Sequence, residues 1–216
     1  MRSRRDAHWL QTVTVAPASR EAVGGFSDEV GVTGLRLRSC RADQLSGRVL
    51  MFELDVTLPE RLRPLAWLIG RWEGAGVVGY PTIESVNFGQ EIVCSHDGRG
   101  FLEWHSHTWL LDGRTGERVR PLGTELGFWR PNEDGKEVEL LLAHPTGIIE
   151  MYYGTMEPAK VAIQTDSVVR SPTAKEYNAG TRLYGLVESE LMWVMDMAAV
   201  GQELQSHVSA QLKRVG

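Results

Sequence analysis

Cysteine is scarce in this chain: Cys40 and Cys94 are the two it has in 216 residues. Two thiols cannot build a disulfide framework, and unpaired cysteines suit a reducing cytoplasm. No stretch approaches the roughly 18 consecutive apolar residues that a bilayer span requires, so no membrane association is expected. A basic excess is also missing. The net charge is −5 at pH 7, whereas nucleic-acid-binding surfaces are normally rich in Lys and Arg. Familiar catalytic signatures are absent too: no Gly-x-Ser-x-Gly elbow, no phosphate loop ahead of a helix, no zinc-protease helix. Ser3-Arg4-Arg5 is similar to a twin-arginine export signal, but the apolar stretch after it is interrupted by Gln11, Thr12 and Thr14. Cytoplasmic residence is therefore the expectation.

The chain divides into two unequal parts. Residues 1–55 carry scattered arginines, weak hydrophobic periodicity and no helix caps or paired strand runs. Such a segment has little to offset its ordering entropy. It reads as a disordered extension, or as a start placed too early, with Met51 as a sensible alternative. From residue 56 the punctuation changes. The clusters Ser95-His96-Asp97-Gly98, Asp112-Gly113-Arg114-Thr115-Gly116 and Pro131-Asn132-Glu133-Asp134-Gly135-Lys136 are hairpin turns by composition.

Between those turns lie short runs rich in β-branched and aromatic residues: 90–94, 101–111, 124–130, 137–143, 147–154, 161–169, 181–187 and 191–197. Strands at this spacing, without helical patterns between them, indicate an all-β sandwich or barrel. One short helix is expected over Glu60–Ile69, limited by Pro64, where it can cap a barrel end. An up-and-down antiparallel barrel with an internal ligand site is the leading architecture. The run Gly70-Arg71-Trp72-Glu73-Gly74-Ala75-Gly76 follows the helix. Positions 70, 72, 74 and 76 share one strand face, so that face carries a single indole and otherwise no side chains. Two readings fit: a barrel corner with a packing Trp, or a wall against a flat ligand.

Among the histidines, His8 falls in the extension and His96 in a turn. His105 and His107 share a strand face at a spacing that can chelate metal, yet no third ligand follows nearby, and a solvent-facing pair is expected. His144 precedes Pro145 and reads as a turn residue. Glu125 reads as a buried acid paired to Arg130. His207 stands among small and apolar neighbours at the start of the final strand or helix. It is either a satisfied structural histidine or, as a neutral imidazole in an apolar pocket, a haem ligand.

Six ordered blocks settle which comparison to make. They are Leu68-Ile69-Gly70-Arg71-Trp72-Glu73-Gly74-Ala75-Gly76, Tyr80-Pro81-Thr82, Ser106-His107-Thr108-Trp109, Glu125-Leu126-Gly127-Phe128-Trp129-Arg130-Pro131, Thr146-Gly147-Ile148-Ile149-Glu150, and Met197-Ala198-Ala199-Val200-Gly201 leading to His207. With them, the chain from about Leu65 to Leu212 resembles the nitrobindins, haem-binding relatives of fatty-acid-binding proteins whose bacterial members are described as peroxynitrite isomerases. The resemblance implies a ten-stranded antiparallel barrel of the lipocalin and fatty-acid-binding type, with one haem b per subunit near an open end. It implies His207 as the axial ligand to iron, and Gly70, Trp72, Gly74 and Gly76 as a wall beside the porphyrin. Thr82 is a further pocket candidate, and Lys175 in Thr173-Ala174-Lys175-Glu176 a partner for a haem propionate.

The implied activity is isomerisation of peroxynitrite to nitrate on ferric haem, with no general base required. Two alternatives stay open: a haem sensor or carrier of nitric oxide without turnover, and a haem-free barrel for a fatty acid or other apolar ligand. A homodimer is compatible with an apolar opening, without a residue-level interface to argue from. Some relatives carry a histidine two residues before the Glu of the Glu-x-Gly-Phe block, where this chain has Gly123. That leaves an open, apolar distal side around Leu122.

Overall fold

The computed structural model describes residues 57–215. The expectations for residues 1–55, including Cys40, His8 and the alternative start at Met51, lie outside the described residues. A 3₁₀ helix over Glu60–Leu68 precedes ten strands: β1 (Gly70–Tyr80), β2 (Ile83–Ser95), β3 (Leu102–Leu111), β4 (Arg118–Pro131), β5 (Glu137–His144), β6 (Ile148–Glu157), β7 (Lys160–Arg170), β8 (Tyr177–Val187), β9 (Glu190–Ala199) and β10 (Gln205–Val215). Each strand pairs antiparallel with its sequence neighbour, and β1 pairs with β10 to close the barrel. The last element is a strand, which resolves the ambiguity left around His207.

Period-two alternation builds the wall. In β5, Val138, Leu140 and Leu142 are buried while Ala143 is exposed, so one parity faces inward. The turns form where Asp-Gly chemistry places them. The Asp112 carboxylate accepts the backbone N–H groups of Arg114 and Thr115 at 2.9 and 2.8 Å, and Gly116 takes a positive φ of 72° that glycine adopts without strain. Three strands begin earlier than the apolar runs suggest: β2 at Ile83, β4 at Arg118 and β8 at Tyr177. The first residues of β2 and β4 form an exposed rim, where burial does not impose an alternating pattern, whereas β8 opens on the buried Tyr177.

The barrel has two unlike ends. At one, the helix buries Leu62, Leu65 and Leu68 completely over the core. Its geometry is 3₁₀ rather than α, with Leu62 N–H reaching back to the Pro59 carbonyl, as suits a short segment in which Pro64 lacks a donor. Its last carbonyls are all held. Trp72 Nε1 donates to Leu68 O at 2.8 Å, and the Arg214 guanidinium donates to Trp67 O at 2.9 Å and to Ile69 O. That guanidinium also lies 4.2 Å over the Trp72 ring.

Below the cap, Trp104, Trp129 and Tyr184 meet edge to face at 5.2–5.8 Å. Cys94 is buried, and burial pushes its thiol pKa well up. The opposite end carries the hairpin connections 81–82, 112–117, 145–147, 171–176 and 200–204. It is the open rim. Among the described residues, no helix is long and apolar enough to cross a membrane.

Candidate functional site

Two irregularities in the sheet meet at the open rim. Between β10 and β9 the register slips after Ser206↔Asp196 to Val208↔Met195, leaving His207 as the extra residue. Between β1 and β2 it slips from Val78↔Val86 to Tyr80↔Ile83, so that Gly79 alone faces Glu84 and Ser85 and the extra residue lies on β2. Such bulges turn a side chain away from the regular alternation. Here His207 Nδ1 lies 2.8 Å from the Gly79 carbonyl oxygen. A carbonyl only accepts, so Nδ1 carries the proton and Nε2 keeps its lone pair.

The Tyr80 ring packs edge-on against the imidazole at 5.4 Å. Tyr80 is itself pinned: its hydroxyl donates to Met197 O at 3.0 Å and accepts from Ala199 N–H at 3.0 Å. Burial lowers the pKa of His207, the Gly79 bond opposes that shift, and the Arg182 charge adds to the lowering. A cleft of about 300 Å³ opens beside the ring, lined by Val77, Gly79, Tyr80, Pro81, Ser85 and Ser209 among others.

These features fit a haem ligand. Iron takes a neutral imidazole through the nitrogen opposite the one that is hydrogen-bonded, and a backbone carbonyl on the far nitrogen fixes both tautomer and ring plane. Thr82, in the 81–82 turn, and Lys175, in the 171–176 connection, are exposed at the same end as His207.

The glycine-rich run is placed elsewhere. Trp72 pairs with Arg214, whereas Val78 pairs with Val208 beside His207, a separation of roughly 20 Å along the strand. Gly70 and Trp72 belong to the capped end. The bare face of Gly74 and Gly76 is already filled: a Cβ at Gly74 would lie 2.1 Å from Gln211 O, and one at Gly76 2.2 Å from Ser209 O and 2.7 Å from Phe88 Cζ. The glycines let β1 and β10 press together where the barrel closes. Of the two readings of this motif, the geometry fits the barrel corner, and these four residues are not brought together with His207.

A buried ionic network, missed in the sequence, crosses the interior. Arg182 uses every guanidinium hydrogen: Nε to Tyr152 OH, one terminal nitrogen to Glu125 (3.1 Å) and Tyr184 OH, the other to Glu125 (2.7 Å) and Glu150 (3.3 Å). The Glu125 partner is thus Arg182 and not Arg130, which instead reaches Glu139 on the outer face at 2.8 Å. Glu125 and Arg182 point inward from β4 and β8, whereas the even position 130 points out.

Glu150 also accepts the Tyr152 hydroxyl at 2.6 Å, the Tyr177 hydroxyl, and Nε2 of His144 at 2.6 Å. His144 is therefore no turn bystander. It shares the inward parity of Leu140 and Leu142, a signal that Pro145 obscured. His105 and His107 are exposed on the outer face, their rings 4.1 Å apart, and Leu122 is exposed at the rim.

Comparison with known proteins agrees with this geometry. Residues 61–214 match the model of the THAP4-like, heme-binding β-barrel domain. A peroxynitrite isomerase from a Nocardioides strain is 48% identical over 163 residues, covering 76% of this chain and 98% of the relative. A ferric nitrobindin-like protein from Streptomyces griseus is 48% identical over 167 residues, covering 76% and 87%. The crystal structure of Rv2717c from M. tuberculosis superimposes with a TM-score of 0.66 at 36% identity, over 74% of this chain and 99% of that one. The chain belongs to the THAP4-like family of haem-binding β-barrels, the nitrobindins.

Proposed function

We propose that this protein is a haem-dependent peroxynitrite isomerase in which His207 holds haem b by its Nε2. One observation carries the site: Nδ1–H of His207 is committed to the Gly79 carbonyl at 2.8 Å, which leaves Nε2 unprotonated on a bulge at the open rim. Haem, when bound, supplies the ferric centre at which peroxynitrite rearranges to nitrate. The chain supplies the rest. His207 orients the cofactor, Tyr80 stiffens the imidazole from its edge, and burial keeps the ring neutral. Lys175 and Thr82, exposed on rim connections, are the proposed contacts for the polar edge of the cofactor. Nitric oxide is the proposed second ligand, the cytoplasm the proposed compartment, and a homodimer the proposed assembly.

The relatives named peroxynitrite isomerase support this reading at 48–50% identity. A carrier of long apolar chains is disfavoured by the interior, where Trp72, Trp129, Tyr152 and Tyr184 are fully buried around the Arg182 network.

Expression with a haem supply is expected to give a Soret band that His207→Ala loses, and peroxynitrite decay faster with loaded wild type than with the variant. A band without accelerated decay, but with nitric oxide binding, would make the protein a carrier. No band at all overturns the haem reading.

A further inference from the structure

We propose that His144, backed by Glu150, is the hydrogen-bonding residue for an anionic ligand held on the side of the haem away from His207. The proposal rests on the haem reading above and adds a second functional side chain to the same site.

Topology places the two histidines. In the closed order of ten strands, β5 lies five steps from β10 in either direction, which is directly across the barrel. His207 is near the start of β10 and His144 is the last residue of β5, so both stand at the open rim. Ten strands spaced ~4.8 Å apart and tilted ~40° enclose a mouth roughly 20 Å wide. A flat macrocycle held from the β10 side therefore turns its other face toward β5.

Chemistry then separates His144 from a packing residue. Its side chain is 17% exposed, while that of Glu150 is 1% exposed. Glu150 is ionised and can only accept, so the 2.6 Å contact is Nε2–H of His144 donating to the carboxylate. That fixes the ring plane and leaves Nδ1 as the working nitrogen, without a hydrogen-bond partner among the described residues. A carboxylate behind an imidazole is the arrangement that lets the ring take up a second proton and present it.

Glu150 in turn cannot swing away. Arg182, Tyr152 and Tyr177 hold its other lone pairs. The ligand class that fits is a small oxyanion or halide arriving as its conjugate acid: the proton passes to Nδ1, and Nδ1–H then donates to the bound anion. Charge is conserved, and no electron moves.

Fluoride is the probe, because it accepts hydrogen bonds strongly, and nitric oxide is the control, because it needs no donor. Full-length ferric protein is loaded with haem as wild type, His144→Leu and His144→Gln. The expected result is an unchanged Soret band in all three. Fluoride affinity falls by about tenfold or more in His144→Leu, as loss of a charge-assisted hydrogen bond implies, and is largely restored in His144→Gln. Nitric oxide affinity stays within about twofold throughout. Equal loss of both ligands, or of neither, overturns the assignment. So does a low-spin wild type that becomes high-spin in His144→Leu, since His144 would then be an iron ligand.

If His144→Leu fails to fold, the charge-transfer band of the wild-type fluoride complex decides: a position characteristic of fluoride without a hydrogen bond overturns the proposal. A wild type with no Soret band removes the haem reading first, and this proposal with it.

Discussion

His207 gives its Nδ1–H to the carbonyl of Gly79 at 2.8 Å, and both sit at register shifts of the sheet, His207 as the extra residue of β10 and Gly79 as the single residue facing a two-residue bulge in β2. The relationship ties ligand orientation to backbone irregularity rather than to side-chain packing. His207→Ala is accordingly expected to abolish haem binding while costing the barrel little, within about 1 kcal/mol, because the ring is only half-buried. Absorbance titration with haem, paired with a urea melt of the apo protein, checks both halves. A large loss of apo stability would make His207 a structural residue instead.

Tyr80 gives a graded version of the same test. Tyr80→Phe keeps the ring edge against His207 but leaves Ala199 N–H without its acceptor at 3.0 Å. A buried donor left unmet costs about 1–3 kcal/mol, so the variant is expected to melt earlier yet retain the Soret band. Loss of haem at temperatures where the variant remains folded would assign the hydroxyl a direct role in holding the cofactor.

At the capped end, Trp72 separates a structural clamp from a porphyrin contact. It is fully buried, bonded to Leu68 O, and stacked under Arg214. Trp72→Ala is expected to cost about 3–5 kcal/mol, the usual range for a large aromatic removed from a core. The haem affinity of the fraction that stays folded should remain near wild type. Gly76→Ala should also destabilise, because its Cβ would meet Ser209 O at 2.2 Å, and backbone cannot step aside as a flexible side chain can. Denaturant melts of both variants, beside haem titrations, are the measurement.

Much of this was legible in the residues. The Asp-Gly turns and period-two runs specify hairpins, and the ordered blocks from Gly70 to His207 specify the family. Parity alone showed that Trp72 and three glycines share a face, but not what fills that face. Filling is a property of the partner strand: Gln211 and Ser209 lie more than 130 residues away in sequence. The Arg182 network was hidden for a related reason. Its members come from β4, β5, β6 and β8, and a lone Glu or Arg inside a strand run carries no mark of its partner. The sequence favoured Arg130 for Glu125 by proximity, whereas the sheet alternation sends the two side chains to opposite faces. His144 could have been found by extending the inward parity of Leu140 and Leu142 by one more step.

Glu150 sets an acid limit on stability. Burial by itself raises a carboxyl pKa, but the Arg182 charge and the hydrogen bonds from His144 and Tyr152 overcome it and bring this group down to about 2 from an ordinary 4.5. The folded state thus prefers the ionised form more than the unfolded chain does. The corresponding stabilisation, on the order of 3 kcal/mol, is fully present above the unfolded value and is lost as pH falls from about 4.5 toward about 2. In Glu150→Gln that part of the pH dependence disappears, so the difference in stability between wild type and variant should shrink steadily across this window. Arg182→Met behaves oppositely. It strands Glu125 and Glu150 without their cation and is expected to cost about 3–5 kcal/mol at neutral pH, with part of the loss recovered on acidification as Glu150 protonates. Urea melts of the apo proteins at a series of pH values distinguish the two slopes. An Arg182→Met stability that falls in parallel with wild type would show that the guanidinium is not what keeps Glu150 charged.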